Sequence, residues 1–170
     1  MLRRTLDGLY AAALWAAALA MVGLLGMVLL SIVGRQAGFH LPGTDAYAGY
    51  LMAAAGFLAL AGTFRRGEHI RVTLLLSALG PVARHRLELW ALGATSALAL
   101  LGAWYASRLV WQSWQFNDIS TGNDATPLWI PQLAMAAGSW VLAVALADDW
   151  VQEWRGRRPA SVTGEAARHE

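Results

Sequence analysis

Residues 9–33 read LYAAALWAAALAMVGLLGMVLLSIV, a run without a single charged side chain. At about 1.5 Å per residue, a helix of this length passes the ~30 Å hydrocarbon core of a bilayer. Helix is the state such a run requires, because lipid offers no partner to backbone N–H and C=O groups and an open strand would leave them unsatisfied. A barrel strand would alternate polar and apolar positions, whereas this run is apolar all round. It also exceeds the roughly 7–15 residues of a secretory h-region. Although Arg3 and Arg4 precede it, it reads as an uncleaved anchor.

Outward from this run, three more segments of the same kind appear: residues 46–64, 87–111 and 128–147. The third carries Glu88 at one edge and Arg108 near the other; the second and fourth are charge-free. Pro42-Gly43-Thr44 breaks the chain before the second span, where Thr44 is placed to cap. Thr126-Pro127 reads as an N-cap followed by proline at the first helical position of the fourth. Overall composition agrees: 57% of the 170 residues are hydrophobic and 14% charged, against about 45–50% and about 25% in soluble domains. Disorder is excluded by the same figures. With no Cys, disulfide frameworks, Cys-ligated metals and thiol catalysis are excluded too. The expected fold is an all-α integral membrane protein: a four-helix membrane domain over residues 1–158 and a disordered tail over 159–170.

All 13 basic residues are arginine, and their placement is a topology map. Arg3 and Arg4 precede the first span; Arg65, Arg66, Arg71, Arg84 and Arg86 separate the second from the third; Arg155, Arg157, Arg158 and Arg168 follow the fourth. Only Arg35 and Arg108 fall on the other side. The positive-inside rule then puts both termini and the middle loop in the cytoplasm. The first and third loops, with Asp45, Asp118 and Asp124, face outward. Trp111, Trp114, Trp129, Tyr47 and Tyr50 gather at the outer boundary, and Tyr10, Phe64, Trp90, Trp150 and Trp154 at the inner one, the belts expected of amphipathic rings. In the middle loop Val72, Leu75, Leu76, Leu79 and Val82 share one helical face, which predicts a short amphipathic helix on the cytoplasmic membrane surface. Gly80-Pro81 ends it and starts the next helix, where Arg84 and Glu88 stand four apart.

The chemistry the spans lack is as informative. Their centres hold no Asp, Glu, Lys, Arg or His, so a proton relay or substrate counter-ion has no residue to rest on. His40, His69, His85 and His169 all lie outside the spans, which removes bis-His haem ligation. Ser31, Ser96 and Ser107 have no intramembrane base beside them in sequence. No catalytic, cofactor or metal residues are assigned, and a net charge of +2 gives no reason to expect nucleic acid. What the spans do carry is small residues, with Gly93/Ala97 and Gly102/Ala106 each four apart. Such pairs let membrane helices approach closely. The residues thus point to a packed scaffold that docks onto something larger; a free-standing homo-oligomeric transporter or channel is the alternative.

Two runs carry a resemblance. Arg65-Arg66-Gly67-Glu68-His69-Ile70-Arg71-Val72 is similar to the R-x-G-x-H-I-x-V signature of the small membrane subunit of tripartite ATP-independent periplasmic (TRAP) transporters, the DctQ-like family. Thr126-Pro127-Leu128-Trp129-Ile130 resembles that family's T-P-x-W-I opening of the fourth span. The resemblance covers about residues 6–154. Asp45 stands where family members often carry Glu, and Thr73 where they often carry Asp. The resemblance implies a non-catalytic subunit of the bacterial inner membrane. It would scaffold a large membrane subunit that performs sodium-coupled symport of an organic acid delivered by a periplasmic solute-binding protein. Within that role, Arg65, Arg66, His69 and Arg71 are expected to meet lipid or the large subunit at the cytoplasmic end. Arg35, Asp45, Asp118 and Asp124 are expected at the outer docking surface, and Trp129 at a partner or lipid interface.

Overall fold

A computed structural model describes residues 2–39, 41–65 and 80–156. They form four helices: α1 (Leu2–Gln36), α2 (Thr44–Arg65), α3 (Pro81–Gln115) and α4 (Trp129–Trp154). Each is long and apolar enough to cross a membrane, so the all-α, four-span fold is as the sequence predicts. The middle-loop helix and the tail from residue 157 lie outside the described residues. α1 and α3 run for 35 residues each, about 52 Å of helix against a core of about 30 Å. Apolarity marks where lipid begins, and the helix continues past it because nothing in residues 2–8 or 82–86 breaks the backbone.

Helices α1 and α2 pack as one hairpin and α3 and α4 as another, and α2 joins the two by packing on α4; α1 touches α4 only lightly. The inner pair is therefore α2 and α4, flanked by α1 and α3. The side chains explain the arrangement. Ala61, Ala103 and Ala143 are wholly buried, while Trp15, Leu19, Leu98 and Trp104 are among the large apolar residues left exposed. Between lipid tails there is no hydrophobic reward for hiding large side chains, so contacts form where small residues let backbones approach. Gly138 of α4 is the tightest case. A Cβ there would press on the Phe57 carbonyl of α2 and stand 2.9 Å from the Leu58 nitrogen. At Gly62 of α2 a Cβ would stand 2.6 Å from Leu14 Cγ of α1, and at Gly93 of α3 it would stand 3.1 Å from Trp150 Nε1 of α4.

On α3 the buried residues are Ser96, Ala103, Ala106 and Ser113, a spacing of seven, three and seven that keeps one seam facing α4. This divides both small-residue pairs of α3. Gly93 and Ala106 meet α4, whereas Ala97 is exposed and nothing lies within 4 Å of a Cβ at Gly102. Trp140 Nε1 of α4 donates to Ser107 Oγ at 2.8 Å, and Ser107 in turn donates to the Ala103 carbonyl at 2.9 Å.

Two helix starts differ from expectation. Thr44 is the first residue of α2, and its hydroxyl donates back to the Leu41 carbonyl at 3.4 Å instead of capping an amide. α4 begins at Trp129 after Leu128, without a side-chain cap. Pro127 pairs with Ile119 in an isolated antiparallel bridge, and the Leu128 amide donates to the Asp118 carbonyl at 2.9 Å. That bridge holds Thr126-Pro127 extended, so neither can enter the helix. α3 starts as the sequence predicts, with Gly80 extended at ψ 158° and Pro81 in the first turn.

Enlarging Gly138 should loosen the α2–α4 contact. Gly138→Val is expected to lower stability by about 1–3 kcal/mol, the usual cost of overpacking. Gly56→Ala, at an α2 position with nothing within 4 Å of the added carbon, should be neutral or slightly stabilising. Thermal unfolding of the two variants in one detergent compares them directly.

Candidate functional site

The polar side chains collect at the two ends of the bundle. At the end away from the termini, the α1–α2 loop meets the longer α3–α4 loop over residues 116–128. Asn117 and Ala125 there have positive φ, 51° and 47°, a conformation that costs an alanine roughly 1–2 kcal/mol. The surrounding bonds hold it: the Ser120 amide donates to the Thr126 carbonyl at 2.9 Å, and the Gly122 amide to Ser120 Oγ at 3.2 Å. Gly43, at φ 86°, presses against this loop, and a Cβ on it would come within 2.9 Å of Asp124 Cβ. Only glycine satisfies both conditions.

Asp124 is the centre of this junction. Its Oδ2 accepts from the Tyr50 hydroxyl at 3.0 Å and its Oδ1 from Ser120 Oγ at 2.8 Å. Thr126 Oγ1 lies 3.1 Å from the Tyr47 hydroxyl, and the Tyr47 and Tyr50 rings stand edge to face at 6.1 Å. Hydroxyls favour the charged form of a carboxyl. Thr126 first, then Ser120 and Tyr50, hold Asp124 down at about 2 against an ordinary 3.8, overcoming the opposing effect of partial burial. Asp124 is thus a charged tie between the α3–α4 loop and α2, through Tyr50.

The other residues expected here are placed differently. Asp118 is exposed, and its backbone closes the bridge. Arg35 and Asp45 are both exposed and line one shallow depression of about 200 Å3 between the end of α1 and the start of α2; Arg35 reaches Ser31 Oγ at 3.5 Å. Trp129 is half-buried in the first turn of α4. Trp111 and Trp114 form a tilted pair at 5.3 Å on the last turn of α3.

At the termini end, Arg65 is paired with Asp7 of α1 at 2.8 Å and its guanidinium lies 4.6 Å above the Tyr10 ring. Arg66, His69 and Arg71 lie outside the described residues. Sequence reading missed the partners that join the helices here. Arg3 donates to Gln152 Oε1 at 2.7 Å, tying α1 to α4, and Gln152 donates to Asp148 one turn earlier at 2.7 Å. His85 Nδ1 of α3 lies 3.0 Å from Oε1 of the buried Glu153 of α4. Arg84 and Glu88 do pair, at 3.1 Å. The only sequence cue was the acidic Asp148-Asp149 with Gln152 and Glu153 one turn on; their partners sit 68 and 149 residues away. Exposed pairs such as Asp7–Arg65 contribute about 0–1 kcal/mol each, so they set register more than they stabilise.

A protein-family model described as tripartite ATP-independent periplasmic transporters, DctQ component, matches residues 24–156. The match starts within α1 and takes in α2, α3 and α4 entire. No curated protein matches the chain.

The Asp124 tie makes a direct prediction. Followed by carbon-detected NMR, its carboxyl should titrate with a midpoint about 2, well below the ordinary 3.8. Because the folded value is depressed, whatever Asp124 contributes to stability is complete above pH 3.8 and is lost as pH falls toward 2. Thr126→Ala, Ser120→Ala and Tyr50→Phe should each move the midpoint upward, Thr126→Ala the most; an unmoved midpoint in all three would remove the hydroxyls as the cause.

Proposed function

This chain belongs to the DctQ component family of tripartite ATP-independent periplasmic transporters, and we propose that it serves as the scaffold of one, holding a larger membrane subunit in place. The transporter it completes takes up an organic acid, driven by sodium, after a periplasmic binding protein delivers it. The observation that carries this reading is the distribution of side chains. The spans hold no ionisable residue at their centres, while α1 and α3 present rows of large apolar residues outward, Leu25, Leu29 and Leu101 among them. A chain with no group at depth to hold an ion, yet with two broad flanking faces, fits a structural partner better than a carrier.

The arginine distribution supports a cytoplasmic placement of both termini and the middle loop in the bacterial inner membrane. On that placement the Asp124 junction, Asp118 and the Arg35–Asp45 depression face the periplasm, where a delivery protein docks. Asp118 is the better candidate for that contact, because its side chain is exposed whereas the Asp124 carboxyl is occupied within the chain. Arg66, His69 and Arg71, at the opposite face, then meet lipid phosphate or acidic groups of the large subunit.

Reconstituted with its large subunit and binding protein, the chain should support sodium-driven uptake that the large subunit alone does not. Equal transport without this chain would end the scaffold reading. In the same preparation His69→Ala should reduce the large subunit recovered with the tagged chain. Asp118→Arg is expected to weaken binding-protein docking at low salt, with the difference shrinking as salt rises. Affinity that is unchanged at every salt concentration would remove Asp118 from the docking surface.

A further inference from the structure

Between α2 and α3 lies a groove that none of the described helices fills. Both helices pack on α4. Met135 and Ser139 of α4 form its floor, Phe57 of α2 one wall and residues 102–112 of α3 the other, around about 610 Å3 of space. Its lining changes character along its length. Phe57 and Gly102 lie at mid-depth, and Arg108 and Gln112 stand toward the last turn of α3. The mid-depth half is open, since nothing approaches within 4 Å of a Cβ built on Gly102. Arg108 and Gln112 are four apart on one helix face, the spacing at which two side chains reach the same group.

Arg108 is exposed, and among the described residues none pairs with it. It sits one turn before the Trp111–Trp114 pair that marks the headgroup level of α3. One turn inside the headgroup level an arginine extends its head toward that level, where lipid phosphate is the abundant anion. Its forked donors match phosphate oxygens two at a time, and the Gln112 amide adds a further donor. The complementary ligand carries an anionic head at the Arg108 end and a flexible apolar tail over Gly102.

We propose that this groove binds a glycerophospholipid, its phosphodiester held by Arg108 and Gln112 and an acyl chain lying over Gly102 between Phe57 and Met135. A carboxylate on a partner helix would answer the same charge. A helix about 10–12 Å across fills an irregular trough less readily than a tail that adapts its conformation, and phospholipid is the solvent at this depth. The bound lipid covers the backbone of α3 where Gly102 leaves it bare and supplies the wall that α2 and α3 do not form with each other.

The test uses the full chain co-expressed with its partner subunits, extracted in mild detergent and ejected from the complex in native mass spectrometry. The ejected wild-type chain should retain one glycerophospholipid. Arg108→Gln should cut the retained fraction by about tenfold or more, and Arg108→Lys should retain more than Arg108→Gln. Gly102→Leu keeps the charge and fills the trough, so it should lose the lipid too, and it carries the test if Arg108→Gln fails to assemble. Arg155→Gln, at the other end of the bundle, should leave retention unchanged. The proposal is overturned if the wild-type chain carries no lipid, or if retention is the same in wild type and in both groove variants. It is also overturned if a photo-crosslinker at Leu109 captures a partner polypeptide in place of lipid.

Discussion

The contact on which the bundle turns is the approach of α4 to the backbone of α2 at Gly138. With the Phe57 carbonyl and the Leu58 nitrogen so near, no side chain fits between the two helices at that point. Dispersion contacts between close backbones replace the hydrophobic drive that lipid cannot supply. Because α2 and α4 belong to different hairpins, this one crossing converts two hairpins into a single body. It also fixes which helices flank: once α2 and α4 are face to face, α1 packs mainly on α2 and α3 on α4.

The polar ends follow from that crossing. Hairpins brought together at mid-depth still have freedom to rotate, and the contacts at the ends remove it. At one end Arg3 of α1 meets Gln152 of α4; at the other Asp124 of the α3–α4 loop receives Tyr50 of α2. None of these needs to be strong. Each spans two elements and works at a lever arm of ~15 Å, half the hydrocarbon thickness, from the crossing. The strained Ala125 sits in the loop that carries Asp124, where the bridge and the carboxylate bonds over-determine the backbone.

Most of this fold is legible in the sequence, because lipid imposes a rule that composition obeys. Four long apolar runs require four helices. The packing register is less legible. Gly93/Ala97 and Gly102/Ala106 look alike in sequence, yet α3 turns only Gly93 and Ala106 toward α4, since the seam through Ser96, Ala103 and Ser113 excludes the others. Thr126-Pro127 reads as a helix start because nothing local reveals that residue 119 will pair with residue 127. His85 and Glu153 carry no motif at all; only the tertiary meeting of α3 and α4 gives them meaning. What the sequence hides is each interaction whose partner is remote along the chain.

The charges sort into those the chain uses on itself and those it leaves over. Asp7, Arg65, Arg84, Glu88, Glu153 and Asp124 all have a protein partner at 3.1 Å or less. Among the described residues the side chains of Arg108 and Asp118 have none. An unanswered charge in water costs little, so the exposed Asp118 stands without a partner among the described residues. An arginine one turn inside the headgroup level can reach the phosphates, which are always present there. That difference in solvent is what would separate an intermittent docking contact at Asp118 from a permanent lipid contact at Arg108, although both residues stand at the same end of the same helix pair.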